Sequence, residues 1–256
     1  MRRALGEAAT RRRLVRAGPR SVAFAIRARP VAFGFTAAFG VTSGVLGLVG
    51  PAGRDRVAGW VSTSVDNLGR QPIGALVGSA FVAVEDQMAW LALCVLGLFA
   101  ADRALGWRRL LAAIVTAQVV GSLVSEGVVW WQVAHGVLPA SARTTLDVGP
   151  SYIVVAGLTV GLLRGSWPGR LGAALGCWLL YPLLYPHLFG GLSRLQVAAV
   201  GHVVSVAVGA LFTAVGPRSP DRAAAVRETT ARTSPAVETT RPAPSSDAGR
   251  AEESGG

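Results

Sequence analysis

The chain has 256 residues, of which 51% are apolar and 15% are charged, and its mean hydropathy is +0.46. Soluble globular domains carry about 25% charged residues, so this composition excludes an ordinary water-soluble enzyme as well as a disordered protein or a coiled coil. The formal charge is +11, and all 25 basic residues are arginine. Together these values predict an all-α membrane protein with several spans.

The arginines concentrate at the two ends of the chain. Nine lie in residues 1–30 and six in residues 217–256. Basic segments beside membrane spans orient the chain and attract anionic lipid. No aromatic residues interleave the N-terminal arginines as a nucleic-acid surface would require, so nucleic acid is not an expected partner. We predict a basic cytoplasmic tail over 1–30 and a disordered cytoplasmic tail over 217–256.

Between the tails, residues 31–216 form the predicted membrane domain. Six apolar stretches are expected to be transmembrane helices, at 31–50, 88–105, 110–135, 147–163, 171–189 and 195–216. The 51–87 loop after the first helix contains a further apolar stretch, 73–84, which is too short to span a bilayer. It is therefore predicted to be partly embedded in the membrane, as a re-entrant or interfacial segment.

The distribution of arginines in the loops predicts the orientation of these spans. Six spans place both termini on one side, together with the 102–109 turn, which has three arginines, and the 164–170 turn, which has two. The opposite side has three in the 51–87 loop and then only Arg143 and Arg194. The positive-inside rule predicts a multi-pass plasma-membrane protein with both termini in the cytoplasm. No internal repeat is visible, which disfavours a transporter built from two repeats.

Two polar residues inside the spans suggest chemistry, because polar side chains are costly in hydrocarbon. Ser151 lies four residues into the fourth span and His202 about seven residues into the sixth. Both spans enter the membrane from the outer side, so these residues lie at similar depths, roughly 6 and 10 Å below the surface. A histidine can accept a serine proton and so generate a nucleophile. The alternative is structural, with Ser151 bonded to a carbonyl of its own helix and His202 to a backbone group.

Small residues at intervals of four predict close packing between these two helices. They are Gly157 and Gly161 on the fourth span, and Gly201, Ser205 and Gly209 on the sixth. Such stripes let helix backbones approach closely. If the stripes face one another, Ser151 and His202 approach hydrogen-bond distance.

These motifs resemble the rhomboid family of intramembrane serine proteases, and more closely the rhomboid-like proteins of actinobacteria. Residues 102–106 (DRALG) are similar to the acidic-x-x-Leu-Gly turn after the second rhomboid helix. Gly149-Pro150-Ser151 matches the Gly-x-Ser of the nucleophile motif, and residues 199–209 match the sixth helix, in which a histidine precedes a small-residue stripe. The resemblance covers roughly residues 31–216 and implies a six-helix rhomboid-like bundle.

The resemblance also implies an activity and a site. Ser151 would be the nucleophile and His202 its general base in cleaving the transmembrane segments of other membrane proteins. No metal or cofactor is implied, and the lone cysteines, Cys94 and Cys177, lie in apolar stretches as small hydrophobic residues would. The expected partners are thus client transmembrane segments and the lipid bilayer.

The sequence departs from the family pattern where the oxyanion would be stabilised. The second rhomboid helix carries His-x-x-x-Asn for this purpose, and the corresponding positions here are Asp86 and Trp90. An ionised Asp86 would repel an oxyanion, whereas the Trp90 indole could donate a hydrogen bond. Gln118 and Ser122 of the third span are further candidate donors, with Gly149 as a neighbour in the nucleophile motif.

Two more departures concern the surroundings of the histidine. Tyr152 follows Ser151 where the family has glycine, and Val155 stands where the family often has a tyrosine that stacks on the histidine. Asp147 is expected to cap the fourth helix. Three functions remain open: a serine protease, an inactive relative that binds client helices, and a small transporter or channel with Glu126, Asp86 and His202 along its path.

Overall fold

The computed structural model describes residues 28–188 and 195–215, and for residues 181–188 it describes the backbone only. The tails predicted at the two ends lie outside these residues, apart from positions 28–30. Within these ranges the regular secondary structure is all helical, with no strand. The helices are α1 (Pro30–Val61), α2 (Val65–Arg70), α3 (Pro72–Ser79), α4 (Gln87–Leu105), α5 (Trp107–Ala134), α6 (Ser151–Arg164), α7 (Trp167–Leu188) and α8 (Val197–Ala214), with a 3-10 turn at Ala140–Thr144.

The first helix is longer than predicted and bent. The apolar stretch suggested an end at residue 50, but the chain resumes a helical path and continues to Val61. Gly50 has φ 78° and ψ 174°, and Pro51 follows it. Glycine tolerates this left-handed φ, and proline is suited to the first turn of the helix that resumes after it. The polar residues 51–61 therefore form a second helical segment rather than an irregular loop.

The segment after α1 folds into two short helices, α2 and α3, joined to neighbouring elements by polar contacts. The Arg143 guanidinium on the 3-10 turn pairs with the Asp66 carboxylate on α2 at 2.9 Å. Arg54 donates to the carbonyl of Val84 at 2.9 Å. The predicted apolar segment at 73–84 thus begins as α3, whose Ile73 and Val77 are exposed, as an embedded segment requires.

Helix α6 lies at the centre of the bundle and contacts α4, α5, α7 and α8. Nearly every residue from Tyr152 to Gly161 is buried. The helix has fourteen residues and is about 21 Å long, which is shorter than the hydrocarbon core of a bilayer. It starts at Ser151 rather than at Asp147, because Gly149 has a positive φ of 127° and Pro150 has no N–H to continue a helix from an earlier turn. Ser151 is therefore the first residue of a short, enclosed helix.

Four of the described helices are long and apolar enough to cross a membrane: α1, α4, α5 and α8. Helix α6 is apolar but shorter. Six of the described helices coincide in position with the six predicted spans; α1 and α6 differ as stated, and α5 and α7 begin three and four residues earlier than predicted, at Trp107 and Trp167. All of this agrees with an all-helical membrane protein.

A buried acid joins the end of α4 to the start of α1. Asp102, near the end of α4, is 3% exposed, and its Oδ2 accepts the backbone N–H of Ala32 at 3.3 Å. Ala32 lies in the first turn of α1, whose N–H groups lack intrahelical partners and favour a negative charge. The acid of the DRALG segment thus anchors α1 against α4.

The C-terminal end of α8 is held by arginines from two other helices. Arg109 of α5 donates to the Phe212 carbonyl at 3.2 Å, and Arg164 of α6 donates to the Thr213 carbonyl at 2.8 Å. The last carbonyls of a helix have no intrahelical donor and carry partial negative charge, so guanidinium groups suit them. We call this pair of arginines the α8 clamp.

Candidate active site

One cavity brings the candidate nucleophile and base together. It has a volume of about 420 Å³ and is lined by Ser151 of α6 and His202 of α8. The rest of its wall comes from the chain before α4, the first turn of α4, the irregular segment before α6 and the start of α8: Ala83, Val84, Glu85, Asp86, Trp90, Leu146, Asp147, Val148 and Ala198. The two residues selected from sequence therefore open onto the same space.

Backbone geometry fixes Ser151 as the first residue of α6. Gly149, with its positive φ, donates its N–H to the carbonyl of Ser79 at 2.9 Å, which ties the turn before α6 to the end of α3. Pro150 is fully buried and is the N-cap residue, without a side-chain capping bond. The first intrahelical bond runs from Val154 N–H to the Pro150 carbonyl. The N–H groups of Ser151, Tyr152 and Ile153 thus precede the helical ladder and are available as donors.

His202 is almost completely buried, with 1% of its surface exposed. It lies two turns into α8, next to Gly201, on the side of that helix that meets α6. Its ring packs against the ring of Tyr152, with centroids 5.5 Å apart and planes at 73°, an edge-to-face arrangement. The histidine is therefore held in position by the residue that directly follows the candidate nucleophile.

Tyr152 is the site residue whose role sequence reasoning missed. It is 2% exposed and lies between α5 and α8. Its hydroxyl donates to Asp147 Oδ2 at 2.9 Å and lies 3.3 Å from Ser125 Oγ. From sequence, Tyr152 stands out only as a departure from the family's glycine, whereas in the structure its ring lies against His202.

The expectation that Asp147 caps α6 is wrong. No side-chain capping bond is present at that helix start, and the Asp147 carboxylate instead accepts the hydroxyls of Tyr152 and Thr63. The reason is that α6 begins four residues later than the apolar pattern suggested, so Asp147 lies outside the capping position. Half-buried, it borders the cavity of Ser151 and His202.

The two small-residue stripes pack closely but do not face one another. A Cβ on Gly157 would lie 3.1 Å from Leu98 Cδ2 of α4, and one on Gly161 would lie 2.9 Å from Ala173 Cβ of α7. The α8 stripe meets α6 on another side: Gly201 lies against Tyr152, and Gly209 lies against Ala156 and Thr159, while Ser205 Oγ donates to the Gly201 carbonyl. Successive helix positions are rotated by about 100°, so neighbours such as 156 and 157 belong to different contact surfaces.

The residues considered near the oxyanion fall into two groups, those that line the cavity and those that do not. Trp90 and Asp86 both line the cavity. Asp86, the residue directly before α4, has a left-handed backbone conformation with φ 50°. Gln118 and Ser122 are buried on α5 and are not among the residues that line it. The Gln118 side-chain N–H group donates to Ser79 Oγ at 3.0 Å, so Gln118 holds the end of α3 against α5. Backbone N–H groups at the start of α6 are donors that the sequence analysis did not consider.

A second cavity adjoins the first. Its volume is about 530 Å³, and Leu146, Asp147 and Ala198 border both spaces. Apolar side chains from the end of α5, the loop after it and the start of α8 form most of its remaining wall, among them Val129, Leu138 and Val197.

Glu126 is buried on α5, at 4% exposure. It does not line the cavity that contains Asp86 and His202. The described residues include no group of three or more histidine, cysteine or acidic side chains arranged to hold a metal ion.

Comparison with known protein families identifies the chain. A family model described as "rhomboid-like protein" matches residues 24–215. The chain belongs to the rhomboid-like protein family. No curated protein and no solved structure gave a match.

The matched region of this rhomboid-like protein contains every described helix and both cavities. The resemblance carried by DRALG, by Gly149-Pro150-Ser151 and by the segment around His202 is therefore confirmed at the level of the family. Family membership and the apolar helices together indicate a multi-pass membrane protein.

Proposed function

We propose that this rhomboid-like protein is an intramembrane serine endopeptidase, with Ser151 as the nucleophile and His202 as its general base. The observation that carries the proposal is the cavity shared by these two residues at the start of α6. A serine is a weak nucleophile until a neighbouring base removes its proton, and histidine is the usual base.

The proposed reaction uses groups that surround Ser151. His202 accepts the Ser151 proton as Oγ attacks the scissile carbonyl, and then gives a proton to the leaving amine. Water hydrolyses the resulting acyl-enzyme with His202 again as the base. The N–H groups of the first turn of α6 and its helix dipole favour the negative charge of the tetrahedral intermediate. No metal or cofactor has a part in this scheme.

The proposed substrates are transmembrane segments of other membrane proteins in the plasma membrane. Six crossings with both termini in the cytoplasm would place the cavity toward the outer side, in agreement with the arginine distribution. The adjoining apolar cavity offers space for side chains of such a segment.

Labelling by a fluorophosphonate probe tests the proposal directly. Wild-type protein in detergent is compared with Ser151→Ala and His202→Ala, and Ser141→Ala serves as a control because Ser141 is exposed on the 3-10 turn, outside both cavities. We expect labelling of the wild type and the control and its loss in the two site variants. Folded wild-type protein that is not labelled would contradict the proposal.

A second candidate is an inactive relative that binds client helices without cleaving them. It is favoured by Asp86 and Glu85, two acids on the cavity wall that would oppose an oxyanion. In that case Ser151→Ala retains client binding, measured by cross-linking to transmembrane peptides. Ala198→Trp, which introduces a large side chain at the border of both cavities, would abolish it.

A further inference from the structure

Tyr152 is fixed in place by glycines on both sides of its ring. A Cβ on Gly201 of α8 would overlap the phenol, and one on Gly121 of α5 would lie 3.1 Å from Tyr152 Cδ2. The ring therefore fills a slot that two other helices form. Because its edge-to-face contact with His202 is made from within this slot, any shift of Tyr152 moves the surface on which the imidazole rests.

The hydroxyl end of Tyr152 is anchored outside the helix that carries it. Asp147 Oδ2 accepts both the Tyr152 hydroxyl at 2.9 Å and the Thr63 hydroxyl at 3.1 Å. The tyrosine is thus connected through a carboxylate to the segment that follows α1.

Asp147 is itself immobilised by its backbone. Its N–H donates to Ser62 Oγ at 2.9 Å, and its carbonyl accepts the backbone N–H of Thr63 at 3.0 Å and shares the single Thr63 hydroxyl proton with Oδ2. Ser62, Thr63 and Ser64 are all buried. The carboxylate therefore occupies a position set by the 62–64 segment, independently of the first turn of α6.

We infer that Asp147 is a positioning residue of the active site, acting through Tyr152 to set the orientation of the His202 ring toward Ser151. The inference rests on the proposed function for its catalytic consequence. Its structural content, a rigid connection from Thr63 through Asp147 and Tyr152 to His202, stands on the contacts alone.

Paired substitutions at Asp147 separate this role from simple filling of space. Both hydrogen bonds go to one oxygen, so Asp147→Asn can retain them, whereas Asp147→Leu removes the acceptor at similar size. We expect labelling of Ser151 by the fluorophosphonate to stay within a fewfold of wild type in the asparagine variant. In the leucine variant it should fall by about tenfold to a hundredfold, the usual cost of misplacing a catalytic group.

A spectroscopic measurement tests the connection without relying on activity. The chain has three histidines, so selective histidine labelling gives few signals, and His202→Ala identifies the one of interest. The Tyr152 ring should shift the ring-proton resonances of His202. Tyr152→Leu should abolish that shift, Tyr152→Phe and Asp147→Asn should largely retain it, and Asp147→Leu should reduce it as the tyrosine becomes mobile.

Asp66→Leu provides a matched control, because Asp66 is another acid of this region but bonds to Arg143 rather than to Tyr152. It should leave the His202 resonances and the labelling rate unchanged. If Asp147→Leu does not fold, Thr63→Val removes one of the two hydroxyls from the same oxygen and should give a smaller effect in the same direction.

The results distinguish the two proposals. Wild-type protein that is not labelled but shows the expected His202 shifts would overturn the protease and retain the Asp147 connection. Normal labelling with His202 resonances that are the same in wild type, Asp147→Leu and Tyr152→Leu would retain the protease and overturn the inference.

Discussion

The slot around Tyr152 leads to a prediction at Gly201. In Gly201→Ala the new methyl group overlaps the phenol, so Tyr152 must leave its position against His202. Overpacking of this kind costs about 1–3 kcal/mol of unfolding free energy, and labelling of Ser151 should fall with it. Thermal unfolding in detergent and the labelling rate measure the two effects. Gly44→Ala is the control, since nothing lies within 4 Å of a Cβ there, and an equal effect at Gly44 would contradict this explanation.

Gly149 is sensitive for a different reason. Its φ of 127° is rarely adopted by residues with a side chain, although a Cβ there would have open space. Gly149→Ala should therefore cost about 1–3 kcal/mol through backbone strain and should displace Ser151. The control is Gly127→Ala, where space is also open but φ is not positive. The difference in unfolding midpoint between the two variants measures the cost of backbone strain at Gly149. Equal midpoints in the two variants would argue against strain.

Ser151 and His202, which share the cavity, could be found from sequence, whereas the contacts that hold them could not. Depth below the membrane surface follows from position along a helix, so Ser151 and His202 could be associated from sequence. The contact of Tyr152 with His202 could not, because it depends on how α6 and α8 are rotated about their axes. The same rotation explains why the stripe of Gly157 and Gly161 meets α4 and α7 instead of α8.

At the scale of helices, Asp102 offers a test of how α1 is attached. Asp102→Leu removes the acceptor of the Ala32 N–H and should lower the unfolding free energy by about 1–3 kcal/mol, whereas Asp102→Asn can keep the hydrogen bond. Limited proteolysis near the start of α1, together with thermal unfolding, measures the release. Equal behaviour of the two variants would show that the hydrogen bond does not hold α1.

The positions of the helices followed from apolar stretches, while several boundaries, those of α1 and α6 above all, did not. A hydropathy pattern reports burial in lipid, so it could not show that α1 continues through the polar residues 51–61 after its bend. It also counted residues 147–150 as part of a helix, since Asp147 is the one charged residue in the stretch 147–163. Backbone geometry at Gly149 and Pro150, which has no hydropathy signature, decides where α6 begins.

The orientation of the whole molecule can be tested with cysteines. Cys94 and Cys177 are replaced by alanine, and Ser141→Cys or Ser166→Cys adds one exposed thiol. A membrane-impermeant maleimide should label Ser141→Cys in intact cells and Ser166→Cys only after permeabilisation, because Ser166 lies in an arginine-bearing turn. The cysteine-free chain is the control. The reverse pattern would invert the proposed topology.

The α8 clamp couples orientation to the completion of folding. Helix α8 is the last of the long helices to be synthesised, and its terminal carbonyls meet their donors only when Arg109 and Arg164 already lie on the same side of the membrane. A chain in which α5 and α6 had inserted the wrong way round relative to α8 would leave those carbonyls without arginine partners. The arginines that the positive-inside rule expects to direct insertion are thus the same residues that complete the hydrogen bonding of the last turn of α8.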